Sequence, residues 1–157
     1  MAEKLEFERK FLLLKQPVLK ADIISRIEQH YTDTGRIRRI SIEGKKDTFQ
    51  HTIKKSIRPG VNSEIEKEID LETYYELIEK SKYSLIKNRH QYFIKNGVWE
   101  IDIFDECNLI IAEVECKSEK ELVEIKIPKF IKDILISEVT NINGFSSKSI
   151  AKKITKN

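Results

Sequence analysis

Like charges recur at every second position in most segments of this chain that alternate as β-strands. The first such segment is "EFERK", where Glu6, Glu8 and Lys10 share one face while Phe7 and Arg9 share the other. The same-face charges in the later segments are Arg36 with Arg38, Lys54 beside Gln50 and Thr52, Glu64 with Glu66 and Glu68, Lys87 with Arg89, Glu100 with Asp102, and Glu113 with Glu115. A sheet built from these segments has one face that is almost wholly ionic.

The remaining pattern predicts an α+β fold with a mostly antiparallel sheet. Strands are expected over 5–13, 63–70, 85–94, 98–104 and 109–117, with two more in 35–55 around a turn at 43–47. Helices are expected over 18–31, 71–84, 128–135 and 144–153, the second of them capped near Asp70. Asn96-Gly97 between two strands is typical of a tight hairpin.

Two arrangements of the ionic face fit this periodicity. In an open sheet the charged face would meet water, and no ligand would be required. In a barrel the charged face would point inward, with the apolar face covered by helices. Buried ions need counter-charges, because an unpaired buried ion costs several kcal/mol. Rows of Lys and Arg would then favour polyphosphate, and rows of Asp and Glu would favour Mg²⁺ or Mn²⁺.

Composition excludes several other classes of protein. At 157 residues the chain is expected to form a single domain over 1–157, and its net charge of +3 is too small to indicate a nucleic acid or a membrane as partner. Cys107 and Cys116 match no metal or redox spacing, and His30, His51 and His90 are scattered. No signal peptide or membrane-spanning segment is evident, so we expect a reduced, cytoplasmic protein.

The order of short motifs along the chain resembles the CYTH superfamily, the triphosphate tunnel metalloenzymes. "EFERK" has the E-x-E-x-K pattern that begins these proteins. It is followed in order by "QHY", "RIRR", "TIK", "EIEKEI", "IKNR", "WEIDIF", "IAEVE" and "EVT". The match covers almost the whole chain and is most similar to short bacterial members that contain little besides the tunnel domain.

This resemblance implies a closed eight-stranded antiparallel β-barrel with helices packed outside and a triphosphate-containing small molecule bound within. By position, the phosphate-binding residues would be Lys10, Arg36, Arg38, Lys54, Lys87 and Arg89. The metal-binding carboxylates would be Glu6, Glu8, Glu113 and Glu115, with Asp102, Glu64 and Glu66 as further acids of the lumen. Lys10 and Tyr31 would lie at the catalytic centre. The implied cofactor is Mg²⁺ or Mn²⁺, as two ions.

The leading hypothesis for activity is metal-dependent hydrolysis of inorganic tripolyphosphate to pyrophosphate and phosphate. The alternatives are a class IV adenylate cyclase, a thiamine or nucleoside triphosphatase and, more remotely, a non-catalytic polyphosphate-binding module. A cyclase needs a pocket for adenine, and Trp99, Tyr92 and Phe104 could stack a base, although such aromatics are more often part of a core. Residues 145–148, "FSSK", replace a "YNS"-like run of bacterial relatives, and the oligomeric state has no signature in the sequence.

Overall fold

Strands make up most of the protein. The structure, a computed structural model, describes residues 3–95 and 97–156. The strands are β1 Lys4–Leu13, β2 Ile23–Thr32, β3 Gly35–Ile42, β4 Thr48–Arg58, β5 Val61–Ile69, β6 Tyr83–Ile94, β7 Gly97–Phe104, β8 Ile110–Cys116 and β9 Leu135–Glu138. The helices are α1 Leu71–Ile78, α2 Glu119–Glu124, α3 Lys129–Lys132 and α4 Ser147–Lys156. None of the helices in these ranges is long and apolar enough to cross a membrane.

Eight of the strands close into an antiparallel barrel in the order β1-β5-β4-β3-β2-β6-β7-β8. Strand β1 closes the ring because it pairs with two neighbours, with β5 near its start and with β8 from Phe7 to Leu12. The end of β1 also carries β9, a short ninth strand outside the ring. The predicted fold class, an α+β fold built on a closed eight-stranded antiparallel barrel, is confirmed.

The helix predicted over 18–31 is wrong, because this segment contains strand β2. The prediction relied on Ile23, Ile24 and Ile27, which happen to match helical spacing. In the structure burial has a period of two, with Ser25, Ile27, Gln29 and Tyr31 buried between more exposed neighbours. β-branched residues fit a pleated strand well, and β2 is hydrogen-bonded on both sides, to β3 and β6. Pairing within the barrel therefore overrides a weak helical pattern.

The other predicted helices are present as α1, α3 and α4, but α1 ends at Ile78 and residues 83–84 of the helix predicted over 71–84 belong to strand β6. Helix α2 and strand β9 were not predicted. Helix α2 is short and is capped by Ser118, whose side chain accepts a hydrogen bond from the Glu121 amide. Strand β9 has four residues and owes its conformation to its partner β1. At the predicted hairpin Ile94 lies opposite Gly97, which has a positive φ of 126°, whereas Asn96 lies outside the described residues.

The apolar residues form separate clusters around the barrel. On the outer face of β1, β7 and β8, Phe11, Trp99 and Val114 pack against Ile131 of α3. Elsewhere Tyr74 of α1 covers Ile37 and Phe49. One cluster differs because it includes inward-facing residues at one end of the barrel: Tyr31, Leu85, Phe104 and Ile111 pack against Ile150 and Ala151 of α4. Helix α4 therefore covers this end, and the charged residues line the barrel beyond the apolar layer.

Candidate active site

The pairing registers place every predicted site residue on the inner face of the barrel. Residues directly opposite each other on antiparallel strands point to the same face. These cross-strand partners include Lys10 with Glu113, Glu8 with Glu115, Tyr31 with Arg36, Lys54 with Glu64, Thr52 with Glu66, and Arg89 with Asp102. Of the two arrangements that the sequence allowed, the structure has the barrel with its ionic face inward.

A cavity of about 460 Å³ occupies the barrel interior. The predicted residues that line it are Glu8, Lys10, Tyr31, Arg36, Lys54, Lys87, Arg89 and Glu113. Glu6, Arg38, Glu64, Glu66, Asp102 and Glu115 are on the inner face but are not part of its lining. The cavity thus brings together five of the six predicted phosphate-binding residues and two of the predicted carboxylates.

Asp102 lies behind the cavity wall in a buried ion-pair cluster. Its carboxylate accepts two hydrogen bonds from the Arg89 guanidinium, at 2.8 and 2.9 Å, and lies 2.9 Å from Lys87 Nζ. Burial alone would raise the pKa of Asp102, but Arg89 and Lys87 outweigh burial and hold it well below its usual value. Asp102 is therefore the shared counter-ion of the two cations of β6, and both its oxygens are already engaged.

Lys87 is the weaker base of the two cations. Its side chain is 2% exposed, and burial lowers its pKa to about 8, with Arg89 and Arg38 adding to the effect and Asp102 opposing it. Arg89 instead keeps its charge, because Asp102 and Glu100 raise its pKa despite burial. In this cluster Lys87 is the cation that can lose its proton near neutral pH.

Arg36 and Arg38 share Glu66 as a counter-ion. Arg36 Nη2 and Arg38 Nη2 lie 3.8 and 3.7 Å from Glu66 Oε1, which also accepts a 2.9 Å hydrogen bond from Thr52. Burial, together with repulsion from Arg36 and Arg89, lowers the pKa of Arg38 to about 9. The guanidinium thus remains protonated at neutral pH, in a site where negative charge would be favourable.

Carboxylates of β1 lie around Lys54 of β4. Lys54 Nζ lies 2.7 Å from Glu6 Oε1 and 3.2 Å from Glu8 Oε1, while Asn62 Nδ2 approaches the same two oxygens at 3.3 and 3.4 Å. Burial raises the pKa of Glu8, and the nearby charges of Glu113 and Glu6 raise it further. Negative charge is therefore in excess here, even with the ammonium of Lys54 present.

The remaining acids occupy different environments. Lys10 Nζ lies 3.6 Å from Glu113 Oε1. Burial raises the pKa of Glu113, but the surrounding cations, and Lys10 most of all, outweigh burial and lower this pKa. Glu115 is exposed, and its pKa is raised by partial burial and by Glu6. Glu64 is 5% exposed and lies 3.9 Å from Lys4, away from the cavity.

The donor set around Lys54 has the right chemistry for a hard divalent cation. Glu6, Glu8 and Glu113 supply carboxylate oxygens, the ligands that Mg²⁺ and Mn²⁺ prefer, and the Lys54 ammonium lies where two of them converge. Within residues 3–95 and 97–156, however, no three His, Cys, Asp or Glu side chains converge closely enough to form a ready metal cluster. A metal would thus have to displace Lys54 from its carboxylates, and its binding stays a prediction.

Several residues on the inner face of the barrel were not predicted as part of the site. Gln29 is fully buried and donates a 2.8 Å hydrogen bond from Nε2 to Tyr31 Oη. Its inward position could have been found by applying the two-residue period to 23–32, but the predicted helix concealed it. The cavity is lined by Thr52, which the strand period had already placed on the charged face, and by Asn62 and Lys148, which were not predicted. Lys148 had no strand pattern to indicate it, because it lies in the first turn of α4.

The segment 139–149 forms another part of the cavity wall. Its start is fixed to β1, since the Val139 amide donates to Lys10 O at 2.8 Å and Thr140 Oγ1 accepts from the Lys10 amide at 2.9 Å. At its end Ser147 Oγ accepts a 3.3 Å hydrogen bond from Lys87 Nζ. Ser147, in the "FSSK" run that departs from the bacterial pattern, therefore still makes a polar contact with a predicted phosphate-binding residue.

Comparison with solved structures extends over nearly the whole chain. The inorganic triphosphatase NE1496 superimposes with a TM-score of 0.59 at 25% identity, covering 93% of this chain and 97% of that protein. The PH1819 protein from Pyrococcus horikoshii OT3 superimposes with a TM-score of 0.64 at 20% identity, covering 97% of this chain and 99% of that protein. A putative adenylate cyclase from Bacillus halodurans superimposes with a TM-score of 0.54 at 17% identity, covering 78% of this chain and 86% of that protein. No family model matches the sequence, and no curated protein matches it significantly.

The architecture and the comparisons lead to the same conclusion. Eight antiparallel strands close around an ionic interior, and the similar structures include an inorganic triphosphatase of nearly the same extent. The predicted resemblance is confirmed at the level of fold, while the roles of individual residues stay predictions. The chain has the triphosphate tunnel fold of the CYTH superfamily.

Proposed function

We propose that this protein hydrolyses triphosphates with the help of a divalent metal, and that inorganic tripolyphosphate is its substrate. Water would attack the terminal phosphorus, the bond from that phosphorus to the bridging oxygen would break, and pyrophosphate and phosphate would leave. The similarity to a known inorganic triphosphatase supports triphosphate hydrolysis as the general activity. The choice of tripolyphosphate rests on the chemistry of the cavity.

The observation that carries this proposal is the convergence of Lys10, Arg36, Lys54, Lys87 and Arg89 on one cavity of about 460 Å³. A triphosphate spreads its negative charge over the oxygens of three phosphorus centres. Hydrolysis requires that this charge be neutralised and that the chain be held in line, which fixed cations in a partly enclosed site can do. The segment 139–149 contributes neutral polar groups and Lys148 to the wall on another side.

Lys10 and Tyr31 are the catalytic residues of the proposal. The Lys10 ammonium, which faces Glu113 at 3.6 Å, would neutralise charge on the phosphate oxygens. Burial raises the pKa of Tyr31 although Arg36 and Arg38 oppose this, so its phenol stays protonated at neutral pH and can donate a hydrogen bond. Both groups line the cavity and could contact the substrate directly.

Two ions, Mg²⁺ or Mn²⁺, would be held by Glu6, Glu8 and Glu113, with Glu115 at the exposed edge of the same face. When bound, such ions would neutralise phosphate charge and activate the attacking water. Lys54 would then be released from Glu6 and Glu8 and could turn to the substrate. Glu64, Glu66 and Asp102 already pair with Lys4, Arg36, Arg38, Lys87 and Arg89, so we propose that they act as counter-ions of these cations.

A cyclase activity finds less support in the described residues. Trp99, Tyr92 and Phe104 are 0%, 2% and 4% exposed and pack within apolar clusters. These side chains are therefore not available to stack an adenine base, and the first candidates for an adenine pocket are part of the core.

The test is hydrolysis of a substrate panel by the wild-type protein. Tripolyphosphate, ATP and thiamine triphosphate would be incubated with Mg²⁺, Mn²⁺ or EDTA, and the products would be separated by anion-exchange chromatography. We expect pyrophosphate and phosphate from tripolyphosphate, with the highest kcat/KM of the panel and complete inhibition by EDTA. Cyclic AMP from ATP would instead establish a cyclase, and tight binding of every triphosphate without turnover would establish a sensor.

A further inference from the structure

The side-chain amide of Gln29 is only partly hydrogen-bonded although it is buried inside the barrel. The side chain is fully buried on the inner face of β2, and its Nε2 donates to Tyr31 Oη at 2.8 Å. Its Oε1, however, has no hydrogen-bond partner among the described residues. A buried acceptor without a partner costs roughly 1–3 kcal/mol, so its presence in a packed interior calls for an explanation.

The hydrogen bond from Gln29 determines what the Tyr31 hydroxyl can do. A phenol O–H lies near the ring plane and has one proton, so a donor on one side of the oxygen leaves the proton to point to the other. Since Gln29 donates to this oxygen, the Tyr31 proton is directed elsewhere. Tyr31 lines the cavity and is surrounded by Arg36, Arg38 and Lys10, the same cations that would attract phosphate oxygens.

The surroundings favour this orientation of the amide over its reverse. Gln29 lies directly opposite Arg38 on β3 and opposite Leu85 on β6. Arg38 Nε, like Gln29 Oε1, is buried and has no partner in the described part of the chain. An amide oxygen on the face that holds a buried guanidinium is electrostatically favourable, whereas the reversed amide would place a second donor on that face. The charge of the cross-strand arginine therefore favours Gln29 as a donor to Tyr31.

From this geometry we propose that Gln29 is a positioning residue: it fixes Tyr31 as a hydrogen-bond donor to a phosphate oxygen of the substrate. The proposal rests on the proposed triphosphatase activity and deepens it. Gln29 would act through Tyr31 without touching the substrate. The stability lost at the unpaired Oε1 then accompanies the fixed direction of the Tyr31 hydroxyl proton.

A double-mutant cycle tests this coupling. Tyr31→Phe removes the donor, Gln29→Leu removes the group that orients it, and Gln29→Glu supplies an acceptor that draws the phenolic proton away from the cavity. We expect kcat for tripolyphosphate to fall roughly 10²-fold in each single variant, as when one transition-state donor is removed. We expect Gln29→Leu to cause no further loss in the Tyr31→Phe background.

Gln91→Leu is the matched control, because Gln91 is also an inward-facing glutamine of the barrel but donates to Glu100 at 2.8 Å. The fold-loss in kcat of the Gln91→Leu, Tyr31→Phe double variant should equal the product of the fold-losses of the two single variants. Circular dichroism melting would check that each variant is folded, and Gln29→Glu, which keeps the size of the side chain, replaces Gln29→Leu if that variant unfolds. If the fold-losses in kcat from the Gln29 and Tyr31 substitutions also multiply, as expected for Gln91, then Gln29 is only a packing residue and the proposal is overturned.

This outcome can be separated from failure of the proposed function. If the wild-type protein hydrolyses no triphosphate, the function is wrong, and the same cycle is then read from calorimetric binding of tripolyphosphate. Non-additive losses of affinity would still support the positioning role. Additive losses, or an absence of binding by the wild-type protein, would overturn it.

Discussion

The Arg89 guanidinium grips the Asp102 carboxylate through two parallel hydrogen bonds, from Nε to Oδ1 at 2.8 Å and from Nη2 to Oδ2 at 2.9 Å. Asp102 is 1% exposed, and Lys87 approaches the same carboxylate. This arrangement is hard to reconcile with Asp102 as a metal ligand. A metal bound to Asp102 would have to displace Arg89 from its bidentate ion pair.

Asp102→Asn is therefore expected to lower the free energy of unfolding by about 3 kcal/mol without any metal, because Lys87 and Arg89 would lose the buried carboxylate that they share and Arg89 would keep only Glu100, at 3.4 Å. Urea denaturation in EDTA would measure the loss. The control is Asp105→Asn, whose more exposed pair with Arg26 should contribute less than about 1 kcal/mol. A stable Asp102→Asn protein with weakened metal affinity would return Asp102 to the metal site.

The pKa of Lys87, about 8 in the free protein, predicts a pH dependence of binding. A bound polyanion favours the charged ammonium, so the bound state raises this pKa and binding takes up protons near pH 8. The contribution of Lys87 to affinity is thus present below pH 8 and declines as the pH rises above it.

Calorimetric titration of tripolyphosphate in two buffers of different ionisation enthalpy would measure this proton uptake at pH 8. Lys87→Met is the matched control, because it removes the titrating group and leaves Asp102 paired with Arg89. Protonation of the substrate itself is common to both proteins and cancels in the difference. Equal uptake by the two proteins would show that Lys87 does not titrate on binding.

The barrel could be predicted from the sequence because strand periodicity is a local property. Alternation assigned Glu8, Arg36 and Lys87 to the charged face of their strands from neighbouring residues alone. Whether that face pointed inward was not decided by periodicity, since a solvated sheet has the same pattern. The order of motifs along the chain favoured the barrel, and the closure of β1 onto both β5 and β8 confirms it.

The parts that escaped prediction depend on contacts between distant residues. Strand β2 has isoleucines at helical spacing, and only its pairing with β3 and β6 makes it a strand; the inward position of Gln29 was lost with it. The partners of Asp102 likewise could not be foreseen, because a carboxylate on the inner face can meet either a metal or a cation. Which one it meets depends on the neighbouring strand, where Arg89 lies directly opposite.

Replacing Glu113 and Glu115 together by Gln is expected to abolish turnover through loss of metal. Glu113 lines the cavity, and both residues belong to the inner face of β8. Isothermal titration with Mn²⁺ and steady-state rates with tripolyphosphate would measure the two effects. Glu119→Gln is the control, because Glu119 pairs with Arg58 on the outside and should leave both unchanged. Near-normal turnover by the double variant would contradict the metal assignment.

Arg38 and Arg39 form a natural matched pair, since adjacent strand residues point to opposite faces. Arg38 is 8% exposed in the interior, next to the cavity-lining Arg36 and Arg89, whereas Arg39 pairs with Asp47 outside at 2.7 Å. Arg38→Ala should weaken tripolyphosphate binding by roughly 10- to 100-fold, because it removes a positive charge from directly behind the cavity lining. It should cost little stability, because the guanidinium is already disfavoured by burial and by its two arginine neighbours. Arg39→Ala should leave affinity unchanged, and an Arg38→Ala protein that is destabilised but binds and turns over substrate normally would show that Arg38 serves the fold instead.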